Sequence, residues 1–206
     1  MAEISQNARM TVGGKSVESG QYGGDYASEY RRILSQYIPF GARRFLEWGS
    51  GYTTGMMVDA LGDRDVDLFL TIDSNKKYQD DVIAPIQRPY LKGVVASMTG
   101  TCVDDRDPGF NYSHTPLELG GNFDFIFIDG RRRVECAYVA ALVASENSVV
   151  VVHDYRRDRY QSILALFDVI EDGPQFRVLK VNPVLGSYFR SILPSIVSRF
   201  NKNKNI

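Results

Sequence analysis

The chain has 206 residues, of which 44% are hydrophobic and 24% are charged, a composition typical of a globular protein with its own core. Basic residues (24) and acidic residues (25) nearly balance, so the overall charge does not indicate a nucleic-acid-binding protein. No apolar run reaches the roughly 18 residues of a membrane-spanning helix. The polar N-terminal residues do not resemble a secretory signal, so we expect a cytoplasmic location.

Helical and strand-like segments alternate along the chain after an N-terminal arm (residues 1–24). In chain order, the predicted segments are a helix at 25–37, a strand at 44–48, a helix at 53–61, a strand at 67–72, a helix at 76–87, strands at 93–96 and 123–128, a helix at 133–144, a strand at 148–152, a helix at 160–167, and strands at 176–181 and 187–192. This order predicts an α/β fold with a single Rossmann-like, doubly wound sheet. We expect a mostly parallel sheet with a C-terminal antiparallel hairpin, a domain spanning 25–194 and a tail at 195–206.

A glycine turn follows the first predicted strand, with the sequence Glu47-Trp48-Gly49-Ser50-Gly51-Tyr52-Thr53-Thr54. Glycine lets the backbone turn tightly and approach a ligand closely. The N-terminus of the next helix offers free N–H groups to an anionic group. A dinucleotide-binding fingerprint would need a third glycine at position 54, where this chain has threonine.

Asp73 ends the second predicted strand, with Ser74 beside it. Ligands of open parallel sheets bind beyond the carboxyl ends of the strands, where a carboxylate can accept both hydroxyls of a ribose. NAD-binding proteins use the same device, so Asp73 predicts an adenosine-type ligand without choosing the cofactor. The alternative is that Asp73 caps the next helix, a role that Ser74 or Asn75 could fill equally well.

Two further strand ends carry ionisable side chains. The apolar strand at 123–128 leads into Asp129, and the strand at 148–152 leads into His153 and Asp154. Because adjacent parallel strands end at similar height, we expect these side chains to converge in one crevice.

Taken in order, these motifs resemble those of class I S-adenosylmethionine-dependent methyltransferases, whose opening motif is an acidic residue, any residue and then Gly-x-Gly. The segment Ile128-Asp129-Gly130-Arg131 is especially similar to small-molecule and sugar O-methyltransferases. The resemblance covers about residues 30–192. It implies that S-adenosylmethionine is bound by the glycine turn and the following strand ends, through Glu47, Gly49, Ser50, Gly51, Thr53, Asp73, Ser74 and Asp129.

A hydroxyl is a poor nucleophile at neutral pH, so a base or a metal must assist methyl transfer. We predict that His153 is the general base, with Asp129 or Asp154 orienting it. In metal-dependent O-methyltransferases, an aspartate after strand four and an acidic pair after strand five hold Mg²⁺. Asp129 and Asp154 match that pattern and would hold Mg²⁺ or Mn²⁺, but His153 replaces an oxygen ligand, which hard Mg²⁺ prefers.

Two groups of arginines follow the same strands: Arg131, Arg132 and Arg133, then Arg156, Arg157 and Arg159. On one rim of the crevice they would suit an acceptor that carries a phosphate or carboxylate. The alternative is that they are solvated and paired with Glu135, Asp154 and Asp158. We expect the long polar segment at 98–122 to cover the acceptor and, at its start, to support the adenine.

The sequence therefore predicts an O-methyltransferase that acts on a hydroxyl of a sugar, glycan or other small polar acceptor. The alternatives are an NAD-dependent oxidoreductase or epimerase and a cofactor-binding module without catalysis. Thr54 argues against the oxidoreductase, and so does the absence from the sequence of the Tyr-x-x-x-Lys pair common in that class.

Overall fold

A computed structural model of the chain describes residues 10–12, 15–17, 26–96, 98 and 110–202. The α-helices are α1 (Tyr26–Tyr37), α2 (Tyr52–Leu61), α3 (Lys76–Ile83), α4 (Phe110–His114), α5 (Arg133–Val143) and α6 (Pro183–Lys202). The strands are β1 (Met10–Val12), β2 (Lys15–Val17), β3 (Arg44–Trp48), β4 (Leu68–Asp73), β5 (Leu91–Val95), β6 (Phe123–Ile128), β7 (Ala144–His153), β8 (Phe167–Asp172) and β9 (Phe176–Val181). Short 3₁₀ helices lie at Thr115–Leu119 and Asp158–Ala165.

Within the described residues, a sheet of seven strands has the order β5-β4-β3-β6-β7-β9-β8. Strands β3 to β7 pair in parallel, whereas β9 pairs antiparallel with both β7 and β8. The chain winds outward from β3 in one direction and then from β6 in the other. The doubly wound parallel sheet with a C-terminal hairpin is thus confirmed, and its switch point lies between β3 and β6, where such sheets bind ligands.

Helices cover both faces of the sheet, and the alternation of side chains along β6 shows how. Phe125 and Phe127 belong to a core shared with α1 and α2, whereas Ile126 and Ile128 belong to a core shared with α5. Because successive side chains of a strand point to opposite faces, a strand buried on both faces is apolar throughout. This explains the continuous apolar sequence of β6.

Helix α1 is also tied to the opposite end of the chain. The carboxylate of Glu29, which is 6% exposed, accepts the main-chain N–H groups of Gln175 and Phe176 at 3.1–3.3 Å. The ring of Tyr30 packs 5.4 Å from that of Phe176. The first long helix therefore depends for its position on the start of β9.

A C-terminal antiparallel hairpin is present as predicted, but its predicted second strand at 187–192 is wrong. It is formed by β8 and β9, and the residues predicted as a strand at 187–192 lie inside α6. The Asn182 side chain accepts the N–H of Val184 at 3.2 Å, and Pro183 is the first helical residue. An asparagine N-cap followed by proline is a helix start. The predicted helix at 160–167 is likewise a 3₁₀ helix that ends before β8 begins.

The ends of the chain and the long polar segment are described in part. Strands β1 and β2 form an antiparallel ribbon within the predicted arm, and α6 continues past the predicted domain end at residue 194. Residues 99–109 lie outside the described part, and 110–119 are helical. The division into arm, domain and tail stays a prediction. Among the described helices, none is both long enough and apolar enough to cross a membrane.

Candidate active site

A cleft of about 500 Å³ lies beyond the carboxyl ends of β3, β4 and β6, next to the switch point. It is lined by the predicted cofactor residues Gly49, Ser50, Gly51, Thr53, Asp73, Ser74 and Asp129, by the predicted base His153, and also by Tyr26, Tyr52, Asn75, Tyr78, Tyr112, Gly130, Arg131 and Arg133. Glu47 and Asp154 do not line it. The structure thus brings most of the predicted site residues to one cavity.

The floor of the cleft is formed by two glycines in contact. Gly49 has a φ of 95°, and a Cβ there would lie 2.7 Å from the main-chain N of Gly130. A Cβ on Gly130 would lie 2.9 Å from the Gly49 N and would collide with the Tyr112 hydroxyl. The β3 and β6 turns approach this closely only because both residues lack a side chain.

Glu47 lies on the protein side of the glycine turn, away from the cleft, and is fully buried. Its carboxylate accepts hydrogen bonds from three hydroxyl groups, those of Thr53 at 2.7 Å, Thr54 at 2.5 Å and Thr71 at 2.7 Å. Thr54 Oγ1 in turn accepts the N–H of Gly51 at 2.9 Å, and Ser50 and Thr71 share a hydroxyl hydrogen bond of 2.8 Å. The acidic residue of the motif therefore holds the shape of the turn, and the structure shows no contact between it and the cleft.

Burial of Glu47 raises its pKa to about 7, from an ordinary value of 4.5, although the three hydroxyls oppose the shift. Between these values the folded protein holds the Glu47 proton more tightly than the unfolded chain. Stability should therefore fall as pH rises through this window, by up to about 3 kcal/mol relative to Glu47→Gln, which does not titrate. Urea unfolding of both proteins from about pH 4 to about pH 8 tests this. Parallel stability curves would contradict it.

Asp73 lies at the end of β4 and lines the other side of the cleft. One carboxylate oxygen accepts the N–H of Asn75 at 2.8 Å, while burial raises the Asp73 pKa above its ordinary value. The N-cap of α3 is Asn75, whose side chain accepts the N–H of Tyr78 at 3.1 Å. Asp73 is therefore not needed as the helix cap, and its carboxylate lines the cleft.

Asp129 and His153 form a hydrogen-bonded pair in the wall of the cleft. The imidazole Nδ1 lies 2.6 Å from Asp129 Oδ1, and the Tyr26 hydroxyl donates to Asp129 Oδ2 at 3.2 Å. Burial, with the nearby Asp129 charge, raises the pKa of Tyr26 well above its ordinary value, so Tyr26 stays a donor. A carboxylate at Nδ1 favours the tautomer with the proton on Nδ1 and a lone pair on Nε2. That Nε2 is buried and makes no hydrogen bond within the described structure.

The predicted metal ligands do not fit Mg²⁺ or Mn²⁺. The described residues contain no group of three or more histidine, cysteine or acidic side chains able to hold an ion. Asp129 Oδ1 is shared between His153 and Arg133, and the Arg133 guanidinium lies 3.6 Å from Asp154 Oδ2. Both carboxylates thus face a guanidinium, whereas Mg²⁺ needs a near-octahedral set of oxygens.

The predicted arginine rim is largely absent from the cleft. Arg132 pairs with Glu135 at 2.8 Å, and Arg157 pairs with Asp154 at 2.6 Å. The guanidinium carbons of Arg156 and Arg159 lie over tyrosine rings, at 5.7 Å and 4.9 Å from the ring centres. Of these arginines, Arg131 and Arg133 line the cavity, and Arg131 is exposed. Arg132 and Arg157 are therefore paired with acidic residues, as the alternative interpretation of the sequence predicts, and do not form a rim for an anionic acceptor.

Among the residues that line the cleft, the sequence analysis did not predict Tyr26 or Tyr112, and it placed Arg133 on an arginine rim rather than beside Asp129. Asp129 lies before the first residue of α5, so the spacing of oppositely charged residues within a helix could not have indicated its pair with Arg133. Tyr112 is held by the Trp48 indole, which donates to its main-chain oxygen at 3.0 Å. No local pattern could have placed Tyr26, because its contact with Asp129 joins distant segments of the chain.

No protein-family model and no curated protein sequence matches the chain. Solved structures do match it. The cofactor-bound protein Rv0187 from MTB has a TM-score of 0.56 and 20% identity, over 78% of this chain and 82% of that one. The O-methyltransferase TomG from Streptomyces achromogenes, in complex with SAM, has a TM-score of 0.50 and 19% identity, over 75% and 80%. The chain has the class I methyltransferase fold.

A spermidine synthase in complex with the transition-state analogue AdoDATO also shares this methyltransferase fold. Its TM-score is 0.50 at 13% identity, over 78% of this chain and 64% of that one. Proteins of different names therefore use the same architecture, and the fold by itself does not select the reaction. The reaction has to be argued from the residues of the cleft.

Proposed function

We propose that the chain is an S-adenosylmethionine-dependent O-methyltransferase. The observation that carries this proposal is the Asp129–His153 pair, with 2.6 Å between Nδ1 and Oδ1, in the wall of the cleft that the glycine turn and Asp73 also line. One side of this cavity suits an adenosine-type cofactor, and the other side holds a base. The acceptor we propose is a hydroxyl of a small polar molecule, with sugars and glycans the first class to test.

The chain has groups for each part of the cofactor. Gly49 and Gly51 leave room for close approach to the backbone, and Tyr52 and Thr53 line the cleft at the first turn of α2, where a helix attracts a carboxylate. Asp73, which lines the cleft at the end of β4, would accept the ribose hydroxyls. When bound, S-adenosylmethionine supplies a methyl group on a positively charged sulfur.

His153 would accept the proton of the acceptor hydroxyl on Nε2, which would make the hydroxyl oxygen nucleophilic enough to take up the methyl group. Asp129 holds the ring in the required tautomer and offsets the charge that develops on it. The rings of Tyr26 and Phe176 each pack 4.9 Å from the imidazole, which limits its rotation. Since Nε2 is covered in this structure, acceptor binding must open the approach to it.

Calorimetric titration with S-adenosylmethionine and with NAD tests the cofactor first. We expect binding of S-adenosylmethionine and none of NAD. Transfer of a radiolabelled methyl group is then assayed against a panel of sugars, glycans, phenols and anionic small molecules. Binding of NAD alone would favour the oxidoreductase, and cofactor binding without transfer to any acceptor would favour a non-catalytic module.

Asp73→Ala should weaken S-adenosylmethionine binding by about 1.5–3 kcal/mol, because a charged hydrogen-bonding partner of the ribose is lost. The control is Asp80→Ala, which removes an exposed carboxylate paired with Lys76 on the neighbouring helix α3. Calorimetry should show wild-type affinity for the control. Equal affinities for both variants would place the ribose elsewhere.

A further inference from the structure

Three ionisable side chains lie beyond the ends of β6 and β7, namely Asp129, His153 and Asp154, and together with Arg133 they form a cluster that contains its own cation. Arg133 is 11% exposed in its side chain, and its Nη2 lies 3.0 Å from both the Oδ1 and the main-chain oxygen of Asp129. Its Nη1 donates to the main-chain oxygen of His153 and lies 3.6 Å from Asp154 Oδ2. A single guanidinium therefore joins both carboxylates and both strand ends.

The surroundings hold this guanidinium in place. Arg133 is the first residue of α5, and its Nε donates to the main-chain oxygen of Gly130 at 3.0 Å. Its guanidinium carbon lies over the ring of Tyr160, at 5.7 Å from the ring centre. The planar fork of arginine can satisfy several acceptors at once, and the group keeps its charge at all working pH values. It is thus a fixed charge with little freedom to move.

The charges of the cluster balance without an ion. The carboxylates of Asp129 and Asp154 are matched by the guanidiniums of Arg133 and Arg157, the latter 2.6 Å from Asp154 Oδ2. A divalent cation added here would lie beside two positive charges, of which that of Arg133 is largely buried and held in place. It would also have to displace Arg133 to reach Asp129 Oδ1, and repulsion between like charges at low dielectric opposes both arrangements.

We propose that Arg133 is the permanent cation of this site and positions Asp129 against His153, so that the site works without a divalent metal. Arg133 is a positioning residue in this scheme, since it acts through Asp129. The kinetic part of the test rests on the proposed methyl transfer, whereas the metal-binding part does not.

Binding of Mn²⁺, followed by the electron paramagnetic resonance of the free ion, tests the site directly. The comparison is between the wild type and Asp129→Asn, which lacks one carboxylate charge of the cluster. We expect the two proteins to bind Mn²⁺ equally weakly, within about two-fold. One equivalent of Mn²⁺ bound by the wild type and lost in Asp129→Asn would overturn the proposal. This result stands even if no acceptor is ever methylated.

Kinetics then test the positioning role. Arg133→Met should lower kcat by about 10- to 100-fold, as expected when a catalytic group is misplaced, with the affinity for S-adenosylmethionine nearly unchanged. Arg133→Lys, which keeps the charge and loses the planar fork, should recover part of kcat, and it serves as the test variant if Arg133→Met does not fold.

The control is Arg32→Met, which removes an arginine that pairs with Glu171 and does not line the cleft. A kcat of Arg133→Met equal to that of the control, or stimulation of the wild type by Mg²⁺, would overturn the proposal.

Discussion

Replacement of His153 with alanine should lower turnover by roughly 10²–10⁴-fold while leaving the affinity for S-adenosylmethionine nearly unchanged. Nδ1 of the imidazole is hydrogen-bonded to Asp129, and Nε2 makes no hydrogen bond to the described residues. Loss of the imidazole therefore removes the proposed proton acceptor. Its place at the wall, rather than at the glycine turn, leaves the proposed cofactor contacts intact. Turnover and calorimetric affinity, measured on the same preparation, separate the two effects.

His114→Ala is the matched control, because the chain contains two histidines in all. His114 lies at the end of α4 and does not line the cleft. We expect His114→Ala to keep wild-type turnover. If His153→Ala were as active as this control, the base would have to be sought elsewhere, with the tyrosines of the cleft, Tyr26 first, as the next group to test.

Gly49→Ala should abolish measurable cofactor binding and destabilise the fold by about 2–5 kcal/mol, which combines a strained backbone with overpacking. The new methyl group would lie 2.7 Å from the main-chain N and 2.8 Å from the Cα of Gly130. Neither atom can move without separating β3 from β6, since both belong to the turn that follows a buried strand. Urea unfolding measures the stability loss, and calorimetry measures the binding.

Gly41→Ala separates the two contributions. Gly41 also has a positive φ, of 76°, but a Cβ there would have no heavy atom within 4 Å. The control therefore reports backbone strain alone, which we expect to cost about 1–2 kcal/mol with cofactor binding intact. If Gly49→Ala were no worse than Gly41→Ala, the contact between the two glycine turns would not limit the site.

The sequence predicted the strands best where tertiary packing and local pattern agree. The predicted strands at 44–48 and 123–128 have the observed bounds of β3 and β6, because apolar residues on both faces are what a central parallel strand needs. The predicted strand at 187–192 is wrong, because Phe189, Leu193 and Ile196 follow helical spacing and pack on one core.

For the site, strand order was sufficient to bring Asp129 and His153 together, but it could not assign partners. Three arginines in a row look equivalent in sequence, and their roles differ because of the backbone. Arg132 adopts a left-handed conformation with a φ of 51° just before α5, and Arg133 is then turned towards Asp129. Glu47 was expected to face the cofactor, and only the side-chain directions show it behind the turn.

The link between Glu29 and the start of β9 has a consequence for how the protein is made. Helix α1 is synthesised before its anchor, because the Phe176 N–H that binds Glu29 follows 147 residues later. At about 5–20 residues per second this delay is roughly 7–30 s. During that time Glu29 lacks these main-chain partners, whereas the apolar face of α1 can already pack on α2 and β6, with the Tyr30 ring 4.7 Å from that of Phe127. The packing of Tyr26 against Phe176 in the wall of the cleft would then form only after β9 has been synthesised.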